Sequence, residues 1–331
     1  MSKDSSYVNK KSYTLCLCGS GKFESHCCAI KHSADEYEDL DAFLNARLHT
    51  SVEELQTSAN TFIAAKNSAP LQEFCGFSAV QMGQILYEPF ASEDIIVFND
   101  SISPPMTSPV MLAMNELVQG IPAEGVKATA KGNLPMTICR SAAARFLEHS
   151  PERGRWRYDR FRTEEDLIPL NLVRLLLGLG GYLKKTKGRF SWTKKGQKLI
   201  KQPEVHWYLE LFKLSAVRFN WGYFDGYANV PVVQQGFAYT LFLVQAYGDH
   251  FRTESFYAER FLEAFPMGLM EFDEEELDTA HSMFQSCYSV RSFDRFMAFF
   301  GLIEDRLVDG DIGKETALKK THYLDGLVGF R

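Results

Sequence analysis

The sequence lacks any apolar run long enough to span a membrane. Its longest apolar stretches, 172–179 and 237–246, are far shorter than the roughly 20 residues that a transmembrane helix needs. The first residues are polar and lead into no apolar segment of the kind that directs secretion. We therefore expect a cytoplasmic protein with no membrane span.

An excess of positive charge is also missing, since 42 acidic residues outnumber 36 basic ones and the formal net charge is −6. Such a chain has no global field that attracts nucleic acid, so any contact of that kind needs a local basic patch. Disorder is excluded, because 45% of the residues are hydrophobic and can form a core. The length of 331 residues allows about two domains.

Cysteine is scarce, and most of it lies in one short segment. Three of the seven cysteines, Cys75, Cys139 and Cys287, stand alone among apolar neighbours and are expected to be small core residues. Clustered cysteines in a reducing compartment are more often metal ligands than disulfides. The four clustered cysteines, which we expect to bind one Zn²⁺, are Cys16, Cys18, Cys27 and Cys28.

The spacing of these cysteines suits a closed zinc site. Zn²⁺ prefers four thiolates at the corners of a tetrahedron, with Zn–S distances of about 2.3 Å. Gly19 and Gly21 allow backbone conformations closed to residues with a Cβ, so the chain can fold around the ion. His26 is an alternative ligand that could replace Cys27 or Cys28. Because no fifth ligand or general base is evident, the expected zinc is structural.

The segment 13–31 resembles the SEC-C motif, a zinc-binding module of the type found at the C-terminal end of SecA. Both cysteine pairs and both glycines match, while Leu17 stands where that family usually has proline. The body of the chain is similar to uncharacterised bacterial SEC-C proteins, and the stretches 76–82 and 128–135 carry that similarity. In the family the module contacts other proteins, so the resemblance implies a protein partner bound through the zinc knuckle.

The remaining pattern predicts a mainly α-helical fold with short β-hairpins. Apolar residues at helical spacing predict a helix over 52–66, and Ser51 with Glu54 forms a capping box before it. The predicted divisions are a polar tail at 1–12, a zinc knuckle at 13–32, a helical domain at 33–150 with a wing-like unit, and a helical domain at 151–331 with one or two winged-helix-like units.

A unit of helix, glycine and β-type run recurs at 109–134, 170–199 and 293–327. In the second copy, strands are expected near 182–185 and 189–192, joined by a turn at Lys187-Gly188. The unit resembles the wing of winged-helix domains, and unrelated hairpins between helices are the alternative. A threonine that could cap the next helix occurs in each copy: Thr129, Thr193 and Thr321.

Winged-helix units suggest DNA binding, but the helices before these wings are too apolar to read a DNA groove. The segment 153–162 differs, because its arginines alternate with aromatic residues that can stack on bases. Five acids between 152 and 166 favour instead a neutralised surface segment, so nucleic acid is disfavoured as a partner. The candidate nucleic-acid contacts are Arg153, Arg155, Arg157, Arg160 and Arg162.

No catalytic motif stands out. The glycines at 178–181 lack the preceding strand of a dinucleotide fingerprint, and Gly313-Lys314 lacks the leading glycine of a phosphate-binding loop. We therefore expect a zinc-binding adaptor or regulator that acts through protein–protein contacts. A nucleic-acid-binding regulator is the alternative, and an enzyme is the least favoured of the three.

We predict one Zn²⁺ per chain, and its loss in the double variant Cys16→Ser, Cys18→Ser, because two of the four thiolates are removed. Elemental analysis of protein purified without added metal measures the stoichiometry. The helical circular-dichroism signal should survive chelation, because the apolar core lies beyond residue 50. A stoichiometry near zero would contradict the site.

Overall fold

The structure is a computed structural model that describes residues 37–47, 49–149, 161–272, 277–310 and 313–331. The chain separates into two compact units, Met1–Val80 and Gln81–Arg331. The segments predicted as a polar tail and a zinc knuckle lie outside the described residues. The boundary predicted between 150 and 151 falls inside the second unit, where strands from both sides of it pair.

The described part of the first unit is helical, and its main helix begins as the sequence predicts. The Ser51 hydroxyl accepts a hydrogen bond from the Glu54 N–H at 3.2 Å. The other half of the capping box differs, because the Glu54 carboxylate accepts from the Thr50 N–H. Phe43 packs against Phe62, with ring centroids 4.9 Å apart. The helices are α1 (Leu40–Asn45) and α2 (Val52–Ser68).

The second unit combines helices with small antiparallel sheets, which confirms the predicted class of mainly α with short hairpins. None of the described helices is both long and apolar enough to cross a membrane. The helices, of which the first begins at the end of the first unit, are α3 (Ala79–Tyr87), α4 (Pro109–Gly120), α5 (Met136–His149), α6 (Ile168–Leu179), α7 (Lys194–Leu199), α8 (Glu204–Val217), α9 (Pro231–Gln235), α10 (Phe237–Tyr247), α11 (Glu254–Ala264), α12 (Leu277–Tyr288) and α13 (His322–Leu327).

A π-helix, Ser289–Met297, continues directly from α12. The strands are β1 (Ile96–Phe98), β2 (Val126–Lys127), β3 (Leu183–Thr186), β4 (Arg189–Trp192), β5 (Arg252–Thr253), β6 (Ile303–Gly310), β7 (Gly313–Lys320) and β8 (Val328–Phe330). β1 pairs with β8, which ties the beginning of the second unit to its end.

Most of the second unit consists of one arrangement that occurs twice. The first repeat, 109–199, runs α4-β2-α5-α6-β3-β4-α7, and the second repeat, 237–327, runs α10-β5-α11-α12-β6-β7-α13. Their sheets have equivalent strand orders, β2-β4-β3 and β5-β7-β6. We call β3–β4 the first hairpin and β6–β7 the second hairpin. The predicted strands and turn of the first hairpin are confirmed to within one residue.

The predicted copy at 109–134 is not a separate hairpin. Its strand β2 joins the sheet of the first hairpin, where Val126 lies opposite Phe190. β2 is short because the chain then closes a loop, in which the Thr129 N–H donates to the Asn133 carbonyl at 2.9 Å. The Thr129 hydroxyl accepts from the Asn133 N–H and caps no helix. The predicted units at 109–134 and 170–199 therefore belong to one repeat, and the unit at 293–327 belongs to the other.

Each hairpin is closed onto the helix before it by the same hydrogen bond. Gly181 and Gly301 end those helices at φ of 70° and 72°, the left-handed region that favours glycine. The Thr193 hydroxyl donates to the Gly181 carbonyl at 2.7 Å, and the Thr321 hydroxyl donates to the Gly301 carbonyl at 2.9 Å. Thr193 also caps α7 by accepting from the Gly196 N–H, as predicted, whereas Thr321 makes no capping bond.

The π-helix of the second repeat packs on the chain that connects the two repeats. Arg291 donates from Nη2 to Asp225 Oδ1 at 2.9 Å, and Arg295 donates from Nη1 to Asp225 Oδ2 at 3.3 Å. Arg291 also donates to the Ala228 carbonyl. Both the Asp225 and the Arg291 side chains are almost fully buried, so this ion cluster fixes the connection in place.

We predict that Gly196→Ala destabilises the protein by about 1–3 kcal/mol, because the new Cβ would lie 2.1 Å from the Tyr182 carbonyl oxygen. Gly178→Ala is the matched control. Its Cβ meets no described atom within 4 Å, and alanine is the better helix former by about 0.5–1 kcal/mol. Urea denaturation measures both variants, and equal effects on the free energy of unfolding would contradict this packing.

Candidate nucleic-acid interface

The first hairpin, together with α6 before it and α7 after it, carries many cations and no acid. Residues 167–203 contain nine lysines and arginines and no aspartate or glutamate. All except Arg174 are exposed. We call the eight exposed ones the basic surface: Lys184, Lys185, Lys187, Arg189, Lys194, Lys195, Lys198 and Lys201.

The alternation of the two strands places two of the cations, Lys184 and Arg189, on the outer face of the hairpin. Leu183, Phe190 and Trp192 point into the core, where each has at most 5% of its surface exposed. Lys184 and Arg189 occupy the intervening positions of the strands and therefore face solvent. The hairpin thus has a mainly apolar inner side, on which Lys185 lies opposite Phe190, and an outer side that carries Lys184 and Arg189.

A tight turn carries one of the cations at the tip of the hairpin. Lys187 and Gly188 both have positive φ, 50° and 69°, as the commonest two-residue hairpin turns require. Glycine adopts this conformation without strain, whereas a lysine there is uncommon. Lys187 is exposed at the point where the two strands reverse direction.

Several cations of the basic surface are held in place by neutral groups. Arg189 donates to the Gly125 carbonyl at 2.7 Å, and Lys185 donates to the Gly132 carbonyl at 3.0 Å. Lys195 Nζ lies 4.1 Å from the centroid of the Tyr182 ring. These contacts orient the cations without neutralising them. In the described ranges, no residue of the basic surface forms an ion pair with a carboxylate.

Arg174 differs from the others because it is paired inside the protein. It donates to the Glu164 carboxylate, which is fully buried. Glu164 also accepts from the Leu134 N–H at 2.6 Å and from Asn171 Nδ2 at 3.0 Å. The Arg174 guanidinium lies 5.7 Å from the Phe190 ring centroid. Glu164 therefore ties the loop after β2 to α6, beneath the first hairpin.

The second hairpin has the same topology but a mixed charge. Lys319 lies opposite Glu304, and Lys314 lies opposite Asp309, so cations and acids face one another across the strands. Lys320, at the end of β7, pairs with Asp249 at 3.0 Å. The two hairpins therefore share a backbone arrangement and differ in electrostatics.

The site residues predicted from the sequence lie mostly outside the described residues. This applies to the four zinc ligands and to Arg153, Arg155, Arg157 and Arg160. Arg162 is described and exposed, and its backbone N–H donates to the Asp166 carboxylate at 2.8 Å. The N–H groups of Arg162 and Thr163 hold the pKa of Asp166 below its ordinary value. The sequence predicted that Asp166 would pair with arginine side chains. In the structure its carboxylate instead accepts hydrogen bonds from the backbone of a turn.

The basic surface is not among the sites predicted from the sequence, although a simple signal points to it. The prediction rested on the net charge of the whole chain and on one arginine–aromatic segment. A count of charges in a moving window finds 37 consecutive positions, 167–203, with cations and no acid. Local charge asymmetry of this kind is a standard indication of a nucleic-acid contact.

Reactive groups are few elsewhere in the described structure. A cleft of about 440 Å³ in the second unit is lined by residues that include Tyr87, Arg218 and Gln234, and by no aspartate, glutamate, histidine or cysteine. Cys139 and Cys287 are buried core residues as predicted, and burial raises the pKa of each thiol to about 11. Cys75 is only half-buried, unlike the prediction. The described residues contain no cluster of His, Cys, Asp or Glu able to hold a metal.

Comparison with known families gives one match. The family model of the Y4jL N-terminal domain matches residues 106–205, which is less than a third of the chain. The matched part covers the whole of the first repeat, from α4 to α7. No curated protein and no solved structure matches the chain.

The identification as a SEC-C protein is wrong, because the family model that matches the body, at residues 106–205, is that of a different family. The two body stretches that carried the resemblance contain turns. Gly76 has a φ of 97° and Gly132 has a φ of 86°. Such turn sequences recur in unrelated proteins because the same few residue types satisfy the same backbone geometry.

We predict that Glu164→Ala lowers the free energy of unfolding by about 3 kcal/mol, because it leaves Arg174 and two buried donors without their acceptor. Glu165→Ala, at the exposed neighbouring position, should change it by less than about 0.5 kcal/mol. Urea denaturation of both variants tests this. If both variants change the free energy of unfolding by a similar small amount, Glu164 does not join the loop after β2 to α6 as described.

Proposed function

We propose that the chain is a nucleic-acid-binding protein and that the basic surface of the first hairpin contacts the phosphates. The observation that carries this proposal is the set of eight exposed cations with no acid among them in sequence and no ion-pair partner in the described ranges. Cations that are not neutralised within the protein remain available for an external polyanion. This interface replaces the arginine segment 153–162 as the preferred contact.

The architecture of the repeats supports the same function. A helix, a short strand, two helices and a hairpin, with the short strand paired to the second hairpin strand, is the order expected of a winged-helix unit. On this interpretation the first hairpin is the wing. Wings lie beside the nucleic-acid backbone in such units, so a basic wing supplies phosphate contacts.

The net charge of −6 does not oppose this proposal. At physiological ionic strength, charges on a protein surface are screened over about 8 Å, so a bound phosphate responds to nearby residues. Around the first hairpin these residues include the eight cations of the basic surface. The acids beside them include Glu124, whose carbonyl accepts from Arg189, and Glu210, which accepts from the Tyr182 hydroxyl. The acids that make the whole chain negative include Glu304 and Asp309 of the second hairpin.

The four N-terminal cysteines support a second function, the binding of a structural zinc ion. Four thiolates within 13 positions, with two glycines between them, suit a tetrahedral Zn²⁺. This proposal rests on the ligand chemistry alone, since the segment lies outside the described residues. The zinc segment and the basic surface are far apart in sequence, so the two functions can be tested independently.

We predict that the double variant Lys184→Gln, Lys187→Asn weakens nucleic-acid binding and flattens its salt dependence. Removal of one phosphate contact to a duplex should reduce the slope of log affinity against log salt by about 0.9. Asparagine is chosen at 187 because it tolerates the positive φ of the turn. Fluorescence anisotropy across a salt series measures the slope.

The matched control is Lys314→Gln, Lys319→Gln in the second hairpin. It removes the same charge from a strand where each lysine faces an acid. We expect the control to bind as the unsubstituted protein does. An equal decrease of affinity in both variants would contradict a specific role for the first hairpin.

A further inference from the structure

In a winged-helix unit, one helix reads the bases with its polar side chains. In this protein the polar side chains of that helix are already bonded to other residues. In α6, buried residues include Leu170, Asn171 and Val173, and the polar Asn171 is bonded to Glu164. The single cation of α6, Arg174, is paired to the same carboxylate. The described polar groups of α6 are therefore engaged inside the protein, and the helix offers no set of donors and acceptors for base edges.

In the equivalent helix of the second repeat, the arginine side chain is also bonded within the protein. Arg291, which lies in the π-helix, is held by Asp225 and by the Ala228 carbonyl of the connecting segment. Arg291 has only 4% of its surface exposed. Base recognition through this helix would require the connecting segment to move away.

The basic surface offers no platform for stacking bases. The aromatic residues of the first hairpin and its base, Tyr182, Phe190 and Trp192, are buried. Trp192 Nε1 donates to the Ile121 carbonyl at 3.0 Å, and the Tyr182 hydroxyl donates to the Glu210 carboxylate. Proteins that bind single strands generally combine cations with exposed aromatic rings on which the bases stack. Here only the cations are exposed.

We infer that the ligand of the basic surface is a double-stranded nucleic acid, bound through its backbone without base recognition. This inference rests on the proposed nucleic-acid binding. A surface that attracts by charge alone favours the polymer with the higher charge density. A duplex carries about one charge per 1.7 Å of its axis, whereas one strand supplies half of that.

The outward face of the hairpin provides a direct way to reverse this preference. Thr186 is exposed and lies opposite Arg189, on the same face as Arg189 and Lys184. Thr186→Trp would add the aromatic ring that the basic surface lacks. It should raise affinity for a single strand and leave affinity for a duplex nearly unchanged.

The test uses the full chain and compares a short DNA duplex, each of its strands, a duplex of scrambled sequence, and an RNA duplex. We expect both DNA duplexes to bind equally and more tightly than either strand. The slope of log affinity against log salt should have a magnitude of about 0.9 per phosphate contacted for the duplex and about 0.7 for the single strands. The RNA duplex should also bind more tightly than either DNA strand, because it too carries two charged backbones. Binding no tighter than that of a single strand would contradict a contact made by charge alone.

Tighter binding to a single strand by the unsubstituted protein would overturn the duplex inference and leave the proposed function standing. A large decrease of affinity on scrambling the duplex would overturn binding without base recognition. If no nucleic acid binds in a manner that depends on Lys184 and Lys187, the proposed function itself fails.

Discussion

The hydrogen bond from a threonine hydroxyl to a glycine carbonyl closes each hairpin onto the preceding helix, and much of the second unit depends on it. Thr193 and Gly181 form this bond in the first repeat, and Thr321 and Gly301 form it in the second. The glycine at positive φ lets the chain turn directly from the helix into the strand. Once the hairpin is fixed in that direction, strand alternation decides which side chains enter the core and which face solvent.

Because the same closure serves both repeats, the outward faces are free to differ. The first hairpin has cations and neutral groups outward, whereas the second places Glu304 against Lys319. The core needs only the inward residues, such as Phe190 and Leu318, which are both buried. The charge on the outer face is therefore not set by the core, and the proposed binding function accounts for its concentration on one hairpin.

Local features of this fold were predictable from the sequence, and distant pairings were not. The cap at Ser51 and the turn at Lys187-Gly188 depend on a few neighbouring residues, so their chemistry is visible in the sequence. The pairing of Val126 with Phe190 joins positions far apart in the chain, and a two-residue strand has no periodicity of its own. The charged surface was present in the sequence but was concealed by the average over an acidic chain.

The most direct measurement of the central claim is the protection of individual lysines from acylation when a duplex is added, read by peptide mass spectrometry. We expect protection of Lys184, Lys187 and Lys198, because phosphates would cover these amines. Lys314 and Lys319 of the second hairpin should react at the same rate with and without the duplex. Equal protection of both hairpins, or protection of the second alone, would contradict the claim.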